Sequence, residues 1–77
     1  MPKSIQLIWD FYGPDALQTA KHHAIHLKEY FDKEAHSFQK SDAELVTEDH
    51  AIGFIICAEK EVHLVKNQLK PHRALIL

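Results

Sequence analysis

The sequence predicts a single α+β domain with the element order βαββαβ, in which two helices cover one face of a four-stranded antiparallel sheet. Three observations support this prediction. The 77 residues leave room for only one core, so one domain is expected over residues 1–77. The apolar fraction of 45% is too high for a disordered chain. Segments with a two-residue apolar period alternate with segments that have the helical period.

The first strand and the first helix follow from these periods. Residues 5–11 alternate, and four of them share one face: Ile5, Leu7, Trp9 and Phe11. A helix is predicted from Pro14 to about Lys33, because proline is favoured at the first helical position. Its apolar stripe, which should face the sheet, has spacings of three and four residues: Leu17, Ala20, Ala24, Leu27 and Phe31.

The second half of the chain repeats the pattern less regularly. An irregular strand is predicted within residues 36–47, although residues 41–44 have the spacing of a capping box and could form a helical turn instead. Residues 51–57 are apolar on both faces, as expected for a central strand. A second helix is predicted over residues 59–70 and is ended by Pro71. The last strand covers residues 73–77.

This element order resembles the ferredoxin-like fold over nearly the whole chain, and the sequence looks like the small bacterial proteins of that fold, many of unassigned function. The resemblance implies pairing as dimers. One face of the sheet is expected to lie open and to leave large apolar groups such as Ile8 uncovered. We therefore expect the chain to bind itself, as a homodimer or larger even oligomer, through open sheet faces or a shared edge. Alternatively, residues 35–49 fold over that face.

Seven histidines are the strongest chemical feature of the sequence. His22 and His26 are four residues apart on one helix face, and Glu29 could add a carboxylate. This spacing resembles half of a helical zinc site, so a divalent metal completed by a second subunit is one hypothesis. The alternative is a solvated helix face that holds no cofactor.

A ligand site is predicted near the junction of the first strand and first helix. Asp10 and Tyr12 lie there, His23 flanks the apolar stripe, and His50 begins the third strand. These four residues are the candidate ligand-binding set. The alternative is structural, with aromatic side chains covering the helix start and His23 bonded to the backbone. No catalytic residue is predicted, because the serines and Cys57 lie in no nucleophile motif.

Composition excludes several function classes. A formal charge of −2 and dispersed basic residues argue against nucleic-acid binding, and no apolar run is long enough to cross a membrane. We expect a cytoplasmic, histidine-rich protein that is a non-enzymatic interaction or small-ligand-binding module. A metal-binding protein is the first alternative. A dimeric α+β barrel enzyme acting on a small organic substrate is the second.

Overall fold

The computed structural model describes residues 3–77 and shows the predicted α+β class with ferredoxin-like topology. Met1 and Pro2, at the start of the predicted domain, lie outside the described residues. The strand order in the sheet is β2-β3-β1-β4, and all neighbours are antiparallel. The elements are β1 (Ser4–Tyr12), α1 (Ala16–Lys33), β2 (Lys40–Thr47), β3 (His50–Ala58), α2 (Glu59–Leu69) and β4 (Arg73–Ile76).

The central pair of the sheet is β1 with β3, whose register runs from Ser4 opposite Ala58 to Tyr12 opposite His50. Because side chains alternate along each strand, this register divides the apolar residues between two faces. The face under the helices forms the main core, and the predicted apolar side of β1 is confirmed. This core contains Ile5, Leu7, Trp9, Leu27, Phe31, Ile55, Cys57 and Val65.

The first helix differs from the prediction at its start, whereas the strand predicted within residues 36–47 is confirmed as β2. The helix begins at Ala16 rather than at Pro14, because the Ala16 N–H donates to the Gly13 carbonyl at 3.2 Å. Gly13 has a φ of +110°, so Gly13 and Pro14 form a turn before the helix. The possible helical turn at residues 41–44 is a part of β2 instead. There the Ser41 hydroxyl donates to the Ala24 carbonyl at 2.8 Å and attaches β2 to α1.

The backbone of α1 lies very close to the sheet at Gly53. A Cβ atom at this position would lie 2.9 Å from the backbone oxygen of Ala20. The neighbouring contacts are made by other small buried residues, Ala16 and Ala51. The helix backbone can therefore lie directly on β3 because Gly53 has no side chain and the buried neighbours of Ala20 in this contact are alanines.

The open face of the sheet is less exposed than the sequence predicts. Ile8, Ile52 and Phe54 pack together on this face, yet they are only 2%, 8% and 2% exposed. The expectation that Ile8 stays uncovered is therefore wrong. The register places Arg73 beside Ile8 and Asp42 beside Phe54, so polar residues border the apolar group on both sides. Residues 40–47 lie at the sheet edge rather than over this face.

Neither helix of the described chain, residues 3–77, combines the length and the apolar character that crossing a membrane requires.

The close approach at Gly53 can be tested by Gly53→Ala. We expect the free energy of unfolding to fall by about 1–3 kcal/mol, because the new methyl group must push against helix backbone that cannot rotate away. Denaturant unfolding measures this change. Ala35→Gly is the control, since Ala35 is exposed with a φ of +57° that suits glycine, and it should unfold no more easily than the parent. An unchanged Gly53→Ala protein would contradict the packing described.

Candidate functional site

A polar cluster lies on the open sheet face, at the end where β1 finishes and where β3 and β4 begin. Asp10 is near the end of β1, His50 is the first residue of β3, and Arg73 is the first residue of β4. The antiparallel registers bring these three positions to one end of the sheet. We call Asp10, Tyr12, His50, His72 and Arg73 the Asp10 cluster.

The carboxylate of Asp10 is the centre of the cluster. The Arg73 guanidinium donates twice, from Nη2 to Oδ1 at 2.8 Å and from Nε to Oδ2 at 3.0 Å. His50 Nε2 lies 2.8 Å from the same Oδ1. Because an ionised carboxylate can only accept, the proton of this contact belongs to His50 Nε2. The His50 ring and the Arg73 guanidinium therefore both donate to the Asp10 carboxylate and fix its orientation.

The pKa of Asp10 is lowered from its ordinary value of 3.8. Burial acts in the opposite direction and would raise this pKa, since the side chain is only 12% exposed. The hydrogen bonds from His50 and Arg73, together with the positive charge of Arg73, outweigh burial. Asp10 is therefore ionised at neutral pH and satisfied by its neighbours.

The rim of the cluster presents an aromatic ring and hydrogen-bond donors. Tyr12 is 74% exposed, and its ring stacks on His50 with centroids 4.5 Å apart and planes 14° from parallel. His72 Nδ1 accepts from the backbone N–H of Asp10 at 2.9 Å, so its Nε2 carries the proton in the neutral ring. The side chains of His72 and Arg73 are each about half exposed.

His23, the fourth residue of the predicted ligand set, lies on the other side of the sheet. The structure brings Asp10, Tyr12 and His50 together, but it packs His23 against Trp9 and Phe11, with centroid distances of 4.9 and 5.4 Å. His23 Nε2 is buried without a hydrogen-bond partner among residues 3–77. Burial lowers the pKa of His23, and the positive charges of the nearby histidines lower it further.

The predicted metal residues lie on the exposed face of α1. His22 and His26 are in contact, with their Nε2 atoms 2.9 Å apart. Within residues 3–77, no three His, Cys, Asp or Glu side chains are grouped so that they could hold a metal ion, and Glu29 does not complete the pair. A metal ion at His22 and His26 would therefore need further ligands from another chain.

The sequence interpretation missed His72 and Arg73 as partners of Asp10. The signal was present in the element order. In a βαββαβ fold the last strand lies beside the first, so the start of β4 must meet the end of β1. Opposite charges at these two positions then predict an ion pair.

A second polar contact was also missed, between α2 and the segment before β2. Glu61 is only 8% exposed and lies with its Oε2 2.9 Å from His36 Nδ1, although the angle is not that of a hydrogen bond. Cys57 is fully buried, and burial together with the Glu61 charge raises the pKa of its thiol to about 11. Cys57 therefore stays protonated, and a thiolate nucleophile is disfavoured here.

Two open grooves also follow α1. One is lined by Gln18, Thr19, Lys21, His22 and Ile25. The other is lined by Lys21, Ala24, Ile25, Lys28, Ser41 and Asp42. Neither lining includes Asp10 or His50, so these grooves lie apart from the Asp10 cluster.

Comparison with known proteins does not assign the chain to a family. No protein-family model, curated protein or solved structure matches it. The ferredoxin-like topology alone does not define a function, because unrelated activities occur on this fold. The functional interpretation therefore depends on the chemistry of the Asp10 cluster.

The Asp10 network can be tested by Asp10→Asn. At pH 7 we expect a loss of about 1 kcal/mol in the free energy of unfolding, near the lower end for charged hydrogen bonds because Arg73 is half exposed to screening solvent. The lowered pKa means that this stabilisation is full well above pH 3.8 and is lost as the pH falls through the folded-state pKa. Denaturant unfolding between pH 7 and pH 2.5 measures it. Asp49→Asn, at an exposed turn, should show no such pH-dependent difference from the parent.

The buried ring of His23 predicts a second pH effect, near neutrality. The unfolded chain takes up a proton near pH 6.5, whereas the folded chain resists it, so stability should fall as the pH drops from 7.5 towards 5. His23→Phe removes this proton uptake and should flatten the dependence. His63→Phe, at an exposed position on α2, is the control and should leave the slope unchanged. Equal slopes in the parent and in His23→Phe would argue against a buried neutral His23.

Proposed function

We propose that this chain is a small-ligand-binding module and that the Asp10 cluster binds a small organic anion that contains a planar group. The observation that carries the proposal is that the acceptor groups of the central acid are already used, whereas hydrogen-bond donors remain free beside it. Asp10, the acid of the cluster, already accepts from His50 and twice from Arg73, and it is only 12% exposed. The half-exposed side chains of Arg73 and His72 keep hydrogen-bond donors at the surface.

The donors come from two half-exposed side chains. A guanidinium has more N–H groups than the two that Arg73 gives to Asp10, and the planar arrangement of the remaining ones suits a carboxylate. His72 adds Nε2–H, because its Nδ1 is occupied by the Asp10 backbone N–H. An anion placed between these side chains would receive hydrogen bonds from both.

The preference for a planar group comes from Tyr12. One face of its ring stacks on His50, and the residue is 74% exposed. A flat apolar group could stack on the outer face of the ring and gain buried area without displacing a protein contact. The site therefore combines charge recognition by Arg73 and His72 with stacking on Tyr12, which is the chemistry of a small aromatic or unsaturated carboxylate.

We further propose that the module is non-enzymatic and similar to the small bacterial proteins of this fold. The cluster is shallow and open to solvent at Tyr12, His72 and Arg73, whereas acid–base catalysis benefits from a site that excludes water. His50 is held by Asp10 through the nitrogen that donates. This hydrogen bond holds the His50 ring in the orientation in which it stacks on Tyr12. We therefore assign His50 a supporting role in binding.

The proposal is tested by titrating the ¹⁵N-labelled chain with benzoate and following amide and histidine ring signals by NMR. We expect saturable shifts at Tyr12, His72 and Arg73, with a dissociation constant in the roughly 0.1–10 mM range of a ligand with few atoms. Tyr12→Ala should weaken benzoate binding by about tenfold through lost stacking. Benzamide, which is flat but uncharged, should bind more weakly than benzoate.

The matched control is Ile25→Ala, which truncates an exposed apolar residue in the α1 grooves. It should bind benzoate as the parent does. Shifts that centre on Ile25 and His22 would place anion binding in the α1 groove and contradict the proposal. Equal binding of benzoate, benzamide and benzylamine would show that the charged donors of the Asp10 cluster take no part.

A further inference from the structure

The free edge of β4 is apolar and exposed. All four residues of β4 are exposed, and Leu75, Ile76 and the following Leu77 are 47%, 68% and 62% exposed. No charged residue follows Arg73 along this segment. An exposed apolar edge strand offers unpaired backbone groups and favours pairing with another strand.

The opposite edge of the sheet, β2, is protected in two ways. It carries Lys40, Asp42 and Glu44, and its register is irregular between Leu45 and Thr47. Charged side chains and bulges both hinder the addition of a further strand. The β2 edge therefore has features that hinder pairing with a further strand, whereas the β4 edge has none after Arg73.

We propose that a second copy of this chain pairs with β4, antiparallel and edge to edge, so that two four-stranded sheets become one continuous sheet. The backbone direction supports this. The Leu77 N–H donates to the Ser4 carbonyl at 2.9 Å, so it points towards β1. Because the direction alternates along a strand, the N–H and C=O groups of Ala74 and Ile76 point away from β1 and face the free edge.

One register uses all of these outward groups. Ala74 pairs with the partner subunit's Ile76 and Ile76 with the partner subunit's Ala74, about a two-fold axis at Leu75. A small residue then lies opposite a large one on the helix side of the sheet, and the two Leu75 side chains meet on the open side. This self-complementarity is what a two-fold interface between identical chains requires, and it favours a second copy over an unrelated strand.

A face-to-face dimer is the competing arrangement, and burial argues against it. Ile8 and Phe54, at the centre of the open face, are each only 2% exposed, so association there would remove little apolar surface from water. The residues at the β4 edge have far more apolar surface that pairing could remove from water. The edge pairing also leaves both Asp10 clusters on the same, accessible side of the joined sheet.

The test is the mass of the chain in solution, by sedimentation velocity from low to high micromolar concentration without added ligand. The parent chain should be a concentration-dependent dimer.

The Ala74→Pro variant tests the edge. It removes an outward N–H but no bond to β1, and proline is tolerated where an edge N–H faces away. This variant should weaken the dimer by about 100-fold or more, as expected when a buried carbonyl loses its partner and the strands separate. Ile76→Lys, at a 68% exposed side chain, should do the same through charge.

Two controls separate the edge from the rest of the surface. Leu45→Lys, at an exposed apolar residue of β2, and Glu44→Arg, on the open face, should both remain dimeric. Circular dichroism confirms that each variant is folded, and if Ala74→Pro does not fold, Ile76→Lys decides. A monomeric parent at every concentration, or a dimer that persists in the folded edge variants, would overturn the proposal. Neither result depends on benzoate binding, so this inference and the proposed function can fail separately.

Discussion

The antiparallel pairing of β1 with β3 is the constraint on which the rest of the structure depends. The register from Ser4 opposite Ala58 to Tyr12 opposite His50 runs along the whole of both strands. It sends Leu7 to the helix side of the sheet and leaves Asp10 on the open side. A slip of one residue would exchange the two faces, bury the acid under the helices and turn the main core towards water. The apolar pattern of β1 makes such a slip costly.

The packing of α1 on this central pair changes along the helix. At its start the contacts are made by small residues, because Ala20 lies against Gly53. Further along, the contacts with the sheet are made by the large side chains of Leu27 and Phe31. Trp9 helps to close the core near α2, and its indole N–H donates to the Leu69 carbonyl at 3.0 Å. The buried side chains of α1 therefore become larger along the helix.

β4 contributes to both the proposed anion site and the proposed dimer interface. It is short and pairs only with β1 within the described chain, residues 3–77, and its first residue, Arg73, is tied to Asp10 by two hydrogen bonds. The same strand gives donors to the proposed anion site and carries the free apolar edge. Anchoring by Arg73 therefore stabilises both the site and the edge that we propose to be the interface. The Asp10 network contributes to the fold as well as to the proposed anion site, because it satisfies a carboxylate that would otherwise be costly to bury.

The sequence by itself determined the fold class, the order of the elements and the buried side of β1 and α1. These features follow from apolar patterns that act over a few residues, with a two-residue period in residues 5–11 and a continuous apolar run in residues 51–57. It left residues 41–44 open between a strand and a turn, because local capping chemistry there competes with pairing to β3. It also grouped His23 with Asp10, although alternation sends Trp9, which His23 contacts, and Asp10 to opposite faces. Only the tertiary structure brought Arg73 to Asp10 across 63 residues and closed the open face around Ile8. Both depend on strand register and on the reach of side chains from neighbouring strands, and no local pattern in the chain encodes either distance.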